Sequence, residues 1–399
     1  MKIDFIKKIN RIIPLTLITL IIVGILVDFR AEMFDVSISV DIRADDVDRT
    51  AEASSTNNLT ETANGAKNTP VVSSICNIRT ATTLHGLYIN PLTGLNTVND
   101  ISRNRPVAVS VSNQRSALPT NATNGISQAD IVYEVPVEAG GTRMVALYQD
   151  FSGVGVVGSI RSARHYTVEI AEAYDAMFIH AGGSPLGFRE IENRNISNFD
   201  EVTNRRAQIF RRDRNRIQGH TVQNYHSVTT SGSSFMQWLP TFGLRTTHDS
   251  TFRQALFFTD NPIQAGSRAH NVNVRFSTGK SSTFTYNEMQ NIYYMSQFGS
   301  QFTDANNGSP VTFTNLLILK TPVTDLEGYG AGAGRQDMNT VGSGTGYFVS
   351  GGRYTRINWF RADKSSQFVY TFENGNVIEL GRGKTYIGII PTDMSASFN

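Results

Sequence analysis

Residues suited to binding a ligand gather at the end of a short apolar segment in the first half of the chain. The segment Ala176–Ala181 (AMFIHA) is typical of a buried strand and carries His180 near its end. It is followed by Gly182, Gly183 and Ser184, and Ser184 can cap a helix that begins directly afterwards. In open α/β sheets, ligands bind beyond the carboxyl ends of the strands, where the free N–H groups of a helix start favour anions.

Two arginines, Arg161 and Arg164, are expected at the same place. They stand at the start of a segment over 162–174 that predicts a helix, because its apolar residues recur at helical spacing. Together with the glycines, they favour a carboxylate, a phosphate or an acidic glycan as the ligand. We prefer a purely structural role, in which Gly182 and Gly183 only permit a tight turn and His180 is a hydrogen-bonded core residue.

A pair of carboxylates forms a second candidate site. Glu134 and Glu138 are four residues apart and would share one face of a strand. Paired carboxylates can act as acid and base in glycoside hydrolysis, but two such positions lie about 13 Å apart along a strand, which exceeds the separation that catalysis uses. Arg143, across a predicted turn, instead favours a structural ion pair with Glu138.

The sequence excludes several kinds of site. Cys76 is the one cysteine, so the chain has no intramolecular disulfide and no cysteine-rich metal centre, and the seven histidines lack ligand spacing. Gly342–Gly346 resembles a phosphate loop but lacks the Lys-Ser/Thr that should follow. Ser277–Lys280 matches Ser-x-x-Lys but lacks the partner motifs of such enzymes. We therefore predict neither a metal nor a cofactor.

These residues must be positioned by the strands and helices of an α+β fold. In the first part, 84–245, strand-like segments such as Val107–Ser112 (VAVSVS) alternate with helical ones, which favours an α/β-type domain. The second part, 250–399, is mostly strand-like and contains two predicted hairpins, around Gly351-Gly352 and around Glu373–Asn376. We expect an N-terminal α/β-type domain followed by a β-rich C-terminal domain.

The first 83 residues predict attachment to a membrane. The uncharged run Ile12–Val27 follows four Lys or Arg residues, so residues 1–30 are expected to form a cytoplasmic stub and one transmembrane helix. Residues 31–83 lack sustained periodicity and predict a flexible linker. The expected product is a single-pass protein of the cell membrane, with its N-terminus in the cytoplasm and its body outside. A cleaved signal peptide is the alternative, although no small-x-small cleavage site follows the run.

Six arginines are concentrated within 205–216, although the net charge of the 399-residue chain is only +2. They are Arg205, Arg206, Arg211, Arg212, Arg214 and Arg216. Outside the cytoplasm nucleic acid is not an expected partner, and anionic wall polymers or lipid headgroups are nearer. We prefer a solvated loop that is neutralised by Asp213 and other carboxylates.

Longer motifs connect the chain to a known family. They are Pro91–Leu95 (PLTGL), Arg105–Asn113 (RPVAVSVSN), Ser127–Gln149, Val157–Tyr166 (VGSIRSARHY), Tyr174–Pro185 (YDAMFIHAGGSP), Asp337–Trp359 and Gly383–Pro391 (GKTYIGIIP). Through these motifs the chain resembles, over about 92–391, the YerB-like lipoprotein family of two-domain bacterial surface proteins. The resemblance implies a location and a fold more than an activity, because the family has no established activity.

The chain departs from the family pattern in two places. Family members typically carry a lipid-modified cysteine, where this chain has the apolar run Ile12–Val27. A Pro-His-Asn-type segment of the family appears here as Gly219–Asn224 (GHTVQN). The altered spacing between His220 and Asn224 leaves open whether these two residues share a binding role with the family.

These observations favour a non-catalytic binding or scaffold module at the bacterial cell envelope. It would recognise an anionic or wall-derived ligand, or an envelope protein, through the cleft of its first domain. The alternative is a cell-envelope hydrolase that acts on wall glycan or peptide with His180, Glu134 or His220. Enclosure of His180 by apolar side chains would weigh against the hydrolase.

Overall fold

The structure is a computed structural model, and it describes residues 87–399 except residues 262, 264 and 333. The predicted anchor over 1–30 and the predicted linker over 31–83 lie outside these residues. No helix in the described part of the chain is long and apolar enough to cross a membrane.

An eleven-stranded sheet runs through both halves of the described chain. In chain order its strands are β1 (Val107–Ser112), β2 (Ile131–Pro136), β3 (Thr142–Tyr148), β4 (Met177–His180), β5 (Asn198–Asp200), β6 (Ser267–Arg268), β7 (Asn315–Thr321), β8 (Gly342–Ser350), β9 (Arg353–Arg361), β10 (Val369–Phe372) and β11 (Thr385–Pro391). Across the sheet the order is β6-β9-β8-β7-β11-β2-β3-β1-β4-β5, and β10 pairs with β9.

The strand β11 joins the two halves of this sheet. It lies between β7 and β2 and is parallel to both, so that Tyr386 is beside Leu316 on one side and Val132 on the other. All six residues of β1, and all six of β2, are buried. Near-continuous apolar strands of this kind belong to sheets that are covered on both faces.

Three helices accompany the sheet: α1 (His165–Ala173), α2 (Pro185–Asn193) and α3 (Gly232–Trp238). The predicted cap of α2 is present, because Ser184 Oγ accepts a hydrogen bond from Gly187 N–H at 3.1 Å and Pro185 occupies the first turn. α1 and α2 pack against the large sheet through residues such as Tyr166, Ile170 and Ile191.

A second, six-stranded sheet covers the opposite face. Its strands are Asn271–Arg275, Ser281–Asn287, Ile292–Gln297, Ser300–Gln301, Thr312–Phe313 and Ala396–Phe398. In Asn271–Arg275 buried and exposed residues alternate, as expected for a sheet with one face in solvent. Its buried residues, among them Val272 and Phe284, pack in one core with Val132 and Tyr386 of the large sheet.

Smaller strand pairs complete the fold. They are Tyr88–Ile89 with Asn96–Thr97, Arg211–Arg212 with Val228–Ser231 and Val156–Gly158, Phe257–Thr259 with Glu379–Gly381, Ala122–Thr123 with Thr303–Asp304, and Val323–Asp325 with Gln336–Met338. The described residues thus form three layers: the second sheet together with α3, the large sheet, and the pair α1 and α2.

The two-domain architecture and the predominance of strands agree with the sequence analysis, but the two halves share one sheet and belong to one compact unit. The predicted hairpin at Gly351-Gly352 is confirmed, since β8 and β9 pair throughout. The predicted hairpin around Glu373–Asn376 is present but short: Thr371 and Val377 form an antiparallel bridge, and Ile378 N–H donates to Tyr370 O at 2.9 Å. Beyond it, Glu379–Gly381 runs parallel to Phe257–Thr259.

Candidate functional site

Three parallel strands, β1, β4 and β5, end at the same edge of the large sheet. The chain at 161–164 passes along this edge and enters α1. Its backbone is held on both sides: Arg161 N–H donates to Ser110 O at 2.8 Å, and Ala181 N–H donates to Arg161 O at 3.1 Å. Arg161 and Arg164 therefore lie at the carboxyl ends of the parallel strands.

A row of three polar residues forms the floor of the site. Arg143 of β3 lies opposite Ser112 of β1 in the antiparallel register. On the other side of β1, Ser112 N–H donates to Ser159 O at 2.8 Å. Because side chains alternate between faces, Arg143, Ser112 and Ser159 share the face that α1 and α2 cover. We call these three residues, with Arg161 and Arg164, the arginine site.

Four buried polar atoms of the arginine site have no hydrogen-bond partner among the residues that the structure describes. They are Arg143 Nε, Arg161 Nε, Ser112 Oγ and Ser159 Oγ. Arg143 is only 3% exposed, and its Nη1 donates to the backbone oxygen of Ser162. Since buried polar atoms are nearly always paired in native proteins, four neighbouring exceptions indicate a place for a polar ligand.

The arginine site carries an excess of positive charge. Within the site, Arg164 and Glu138 form an ion pair, with Arg164 Nη2 and Glu138 Oε1 2.7 Å apart. Burial, and then the charges of Arg164 and Arg161, lowers the pKa of Arg143 to about 9. Burial and the neighbouring Arg164 also lower the pKa of Arg161. With a pKa of about 9, Arg143 is protonated at neutral pH, and an anion would relieve the repulsion among the three neighbouring guanidinium groups.

A histidine and a tyrosine form one rim of the site. Arg161 Nη1 donates to the backbone oxygen of Tyr225 at 2.8 Å, and its guanidinium carbon lies 5.6 Å from the Tyr225 ring centroid. The buried His226 has its Nε2 3.0 Å from Ser116 Oγ. Burial, Arg161 and Arg216 lower the pKa of His226 to about 4, so the ring is neutral at pH 7.

His180 is not at the ligand-facing surface. Its ring is 0% exposed, stacks on Phe178 at 5.2 Å between centroids, and meets Phe188 edge-on. Its Nδ1 is bonded to Gly182 O at 2.9 Å, and burial lowers its pKa. Gly182 has φ of +69°, which suits the tight turn. His180 and Gly182 thus have purely structural roles, and Gly183 and Ser184 form the start of α2.

Glu134 lies on the opposite face of the sheet, in a saturated polar network. Its carboxylate is 0% exposed and 3.0 Å from Lys280 Nζ. It accepts hydrogen bonds from Asn113, Thr142, Ser282 and Tyr386, at 2.6 to 2.8 Å. Burial opposes its ionisation, but Lys280 and these donors outweigh burial and lower its pKa. Glu134 therefore joins the two halves of the chain and has no oxygen left for a ligand.

The expected arrangement of Glu138 is wrong in two respects. Strand β2 ends at Pro136, and Glu138 lies in a 3₁₀ turn, so it does not share a strand face with Glu134. Its ion pair is with Arg164, whereas Arg143 affects it only through its charge. Burial alone would raise the pKa of Glu138. The hydrogen bond and the charge of Arg164 have the larger effect, so the pKa lies below its usual value.

The remaining candidates are exposed. His220 lies in a turn closed by its own N–H donating to Ile217 O, and Asn224 begins the 3₁₀ turn Asn224–His226. His180, Glu134 and His220 occupy three separate places and do not form a common catalytic site. No group of three or more metal-binding side chains comes together in the described part of the chain.

The six arginines of the basic cluster over 205–216 make several different kinds of contact. Arg212 forms a two-pronged pair with Glu201 at 2.7 Å for each bond. Arg206 lies over Phe199, at 5.5 Å from the ring centroid. Arg216 is 6% exposed and donates to Asn124 Oδ1 and to backbone oxygens, so it braces the rear of the arginine site. The expected solvated loop is thus correct for part of the cluster and wrong for Arg216.

A pocket lies in the C-terminal half. Its volume is about 240 Å³, and it is lined by Arg268, His270, Tyr286, Glu288, Gly351, Gly352 and Arg353. His270 Nδ1 and Glu288 Oε1 are 3.9 Å apart. Its arginines are exposed, and none of its lining residues has an unpartnered buried polar atom in the described structure. The arginine site is therefore the better candidate.

Comparisons with known proteins agree with this architecture. Residues 92–234 match the family "Protein of unknown function (DUF3048) N-terminal domain", and residues 272–387 match its C-terminal domain. The Bacillus subtilis (strain 168) protein YerB, which is named as a lipoprotein, is 26% identical over 314 residues, or 77% of this chain and 88% of YerB. The crystal structure of Bacillus subtilis YerB aligns with a TM-score of 0.65, covering 77% of this chain and 99% of that one. The chain belongs to the YerB-like family, whose two DUF3048 domains here share one sheet.

Proposed function

We propose that this protein is a membrane-attached, extracytoplasmic binding module of the cell envelope, which holds an anionic ligand in the arginine site. The observation that carries the proposal is Arg143, which is almost fully buried, has an unpartnered Nε, and has no carboxylate of its own among the described residues. A ligand that offers a carboxylate or phosphate group would supply the missing charge and acceptors.

The energetics favour an anion. A buried cation without a partner is costly, because it has lost its hydration without a compensating charge. Hydrogen bonds between arginine and an oxyanion are about twice as strong as those between neutral groups. The hydroxyl groups of Ser112 and Ser159 can donate to further oxygens of the same ligand.

A binding role also fits the chemistry around the site better than hydrolysis. The pair Ser116–His226 has the spacing of a nucleophile and its base. However, His226 has a pKa of about 4, and its Nδ1 has no partner among the described residues. A weak base without an orienting carboxylate lacks the third member of a catalytic triad.

Attachment to the membrane is proposed from the relative and from the sequence. YerB is named as a lipoprotein, and the run Ile12–Val27 of this chain has the composition of a membrane anchor. A lipid attached to cysteine would require Cys76, the one cysteine present. Alkaline extraction of membranes that carry the full chain, with Cys76→Ser beside it, distinguishes the two. A transmembrane anchor keeps both proteins in the pellet, and a lipid anchor releases the variant.

The anion proposal is tested by ligand-induced stabilisation of the full chain in detergent. Inorganic phosphate and citrate are the probes, and the variants are Arg143→Met and Arg275→Met. Arg275 is an exposed arginine of the second sheet and serves as the matched control. We expect the anions to raise the unfolding temperature of the natural protein and of Arg275→Met, but not of Arg143→Met. An equal response of all three proteins would overturn the proposal.

A further inference from the structure

Two exposed tyrosines lie beside the arginine site, and each is backed by an arginine. Tyr225 is 55% exposed and Tyr329 is 61% exposed. The inference drawn from them rests on the proposed function, and it concerns the class of ligand that the site accepts.

Tyr225 is held by two contacts and stays largely exposed. The guanidinium carbon of Arg161 is 5.6 Å from its ring centroid, and the ring of His226 is 4.4 Å away. These contacts cover one part of the ring and fix its position, while more than half of the side chain stays accessible. Tyr225 is thus a held aromatic platform next to the buried cations.

Tyr329 comes from the other half of the chain. It lies at the tip of the hairpin formed by Val323–Asp325 and Gln336–Met338. Arg335 Nη1 braces this tip by donating to Gly330 O at 3.0 Å and to Ala331 O at 3.1 Å. The guanidinium carbon of Arg189 on α2 is 4.7 Å from the Tyr329 ring centroid. The second platform is therefore also held from one side.

The hairpin that carries Tyr329 reaches the arginine site. Asp337 Oδ1 is 2.9 Å from Nε2 of His165, the residue after Arg164. Gly330 fits closely on the first turn of α2, since a Cβ at Gly330 would be 3.2 Å from Leu186 Cγ. The hairpin thus lies against the N-terminal turns of both α1 and α2, next to Arg164.

The two platforms are close enough for one ligand. A chain of contacts runs from Tyr225 through Arg161 to Ala163, whose carbonyl oxygen accepts from Ser184 N–H at 3.0 Å, and from Ser184 along α2 to Arg189. Two extended residues advance about 3.3 Å each, the hydrogen bond spans 3.0 Å and five helical residues advance about 1.5 Å each, so the backbone part of this path is about 17 Å long. The contacts of the two arginines with the tyrosine rings, at 5.6 and 4.7 Å, lengthen the path at its ends. An oligosaccharide of several rings can cover such a distance.

Aromatic rings that lie beside cations suit one chemical class of ligand. The faces of pyranose rings present C–H groups, which pack on the faces of aromatic rings, while the arginines bind acid groups on the same chain. We infer that the ligand is an acidic glycan, whose sugar rings lie on Tyr225 and Tyr329 and whose acid group enters the arginine site. Polyphosphates and acidic peptides carry the charge but lack the pyranose faces.

The test compares two polyanions of equal charge on the full chain in detergent. The probes are an oligogalacturonate and a poly-L-glutamate with the same number of carboxylates. Binding is measured for the natural protein, for Tyr225→Ala and Tyr329→Ala, for the two Phe variants, and for Phe360→Ala. Phe360 is a control aromatic residue of β9 that is 52% exposed.

We expect each Tyr→Ala change to weaken oligogalacturonate binding about tenfold, with Phe restoring it and Phe360→Ala leaving it unchanged. Poly-L-glutamate binding and stabilisation by inorganic phosphate should not change in the tyrosine variants. Equal affinity for both polyanions, or oligogalacturonate binding that the tyrosine variants leave unaltered while Arg143→Met abolishes it, would overturn the glycan inference alone. Absence of any anion effect that depends on Arg143 would overturn the proposed function itself.

Discussion

Replacement of Arg143 by methionine should make the protein more stable and unable to bind anions. Methionine has a similar length and no charge, and it can occupy the same space between β1, β3 and the helices. Natural binding sites often hold groups that are unfavourable for folding and favourable for the ligand. Arg143 has this character, because its cation is buried beside Arg161 and Arg164.

The expected gain in stability follows from the electrostatics. The pKa of Arg143 falls from 12.5 to about 9, and one pKa unit corresponds to about 1.4 kcal/mol, so burial of the charge costs at most about 5 kcal/mol. The substitution also removes the hydrogen bond to the Ser162 carbonyl, which contributes about 1.5 to 3 kcal/mol. The net gain in the free energy of unfolding is therefore at most about 2 to 3.5 kcal/mol.

Equilibrium unfolding in guanidinium chloride, with and without saturating phosphate, measures both effects. Arg361→Met is the matched control, since Arg361 is 0% exposed but donates to Thr340 Oγ1 and Glu169 O at 2.7 and 2.8 Å. Removing that paired cation should cost about 3 to 5 kcal/mol. Phosphate should stabilise the natural protein and Arg361→Met, but not Arg143→Met.

One result would refute this reasoning. If Arg143→Met loses as much stability as Arg361→Met and still responds to phosphate, Arg143 is a structural residue and its unpartnered Nε has no bearing on a ligand. A variant that is as stable as the natural protein, or more stable, but unresponsive to phosphate would support the account.

Three further predictions concern the rest of the fold. Burial would raise the pKa of Asp175, but the hydrogen bond from His248 and the charges of neighbouring arginines outweigh it and lower the pKa to about 2. The Asp175 carboxylate therefore contributes about 1 kcal/mol to stability above pH 4, and this contribution is lost as the pH falls from about 4 to 2. In unfolding experiments across that range, the stability of Asp175→Asn should depend less steeply on pH than that of the natural protein. Glu134→Gln and Lys280→Met should each reduce the free energy of unfolding by about 3 kcal/mol or more, and the double variant should lose less than the sum, as denaturant unfolding of all three would reveal. Gly232→Ala should lower the unfolding temperature in a thermal scan by several degrees, because a Cβ there would lie 2.0 Å from a backbone carbonyl oxygen.

The sequence predicts the individual elements better than their partners. Val107–Ser112 is strand-like in the sequence and is a strand in the structure, because burial on both faces leaves a continuous apolar pattern. The same pattern holds no information on the neighbouring strand. Tyr386 and Glu134 are 252 residues apart in the chain and share a hydrogen bond, so the union of the two halves could not be read from local periodicity.

The residues of the candidate site also differ in how well the sequence predicts them. Arg161 and Arg164 could be placed at the sheet edge, because a helix start after a strand has a known position in α/β folds. Ser112 and Ser159 were missed, since a small polar residue within an apolar strand carries no signal of its own. Lys280 belongs to a segment that the sequence only excludes as a Ser-x-x-Lys motif, and its burial against Glu134 follows only from the packing of the second sheet on the first.

The central position of β11 has a consequence for how the protein is made. Its partners β2 and β7 precede it in the sequence, and β2 is about 250 residues upstream, so the contact order of the sheet is high. Until β11 is synthesised, β2 and β7 each present an open edge in what later becomes the middle of the sheet. Folding of the body must therefore wait for almost the whole chain. A premature stop between Thr321 and Thr385 would leave two unpaired edges and a product prone to aggregation.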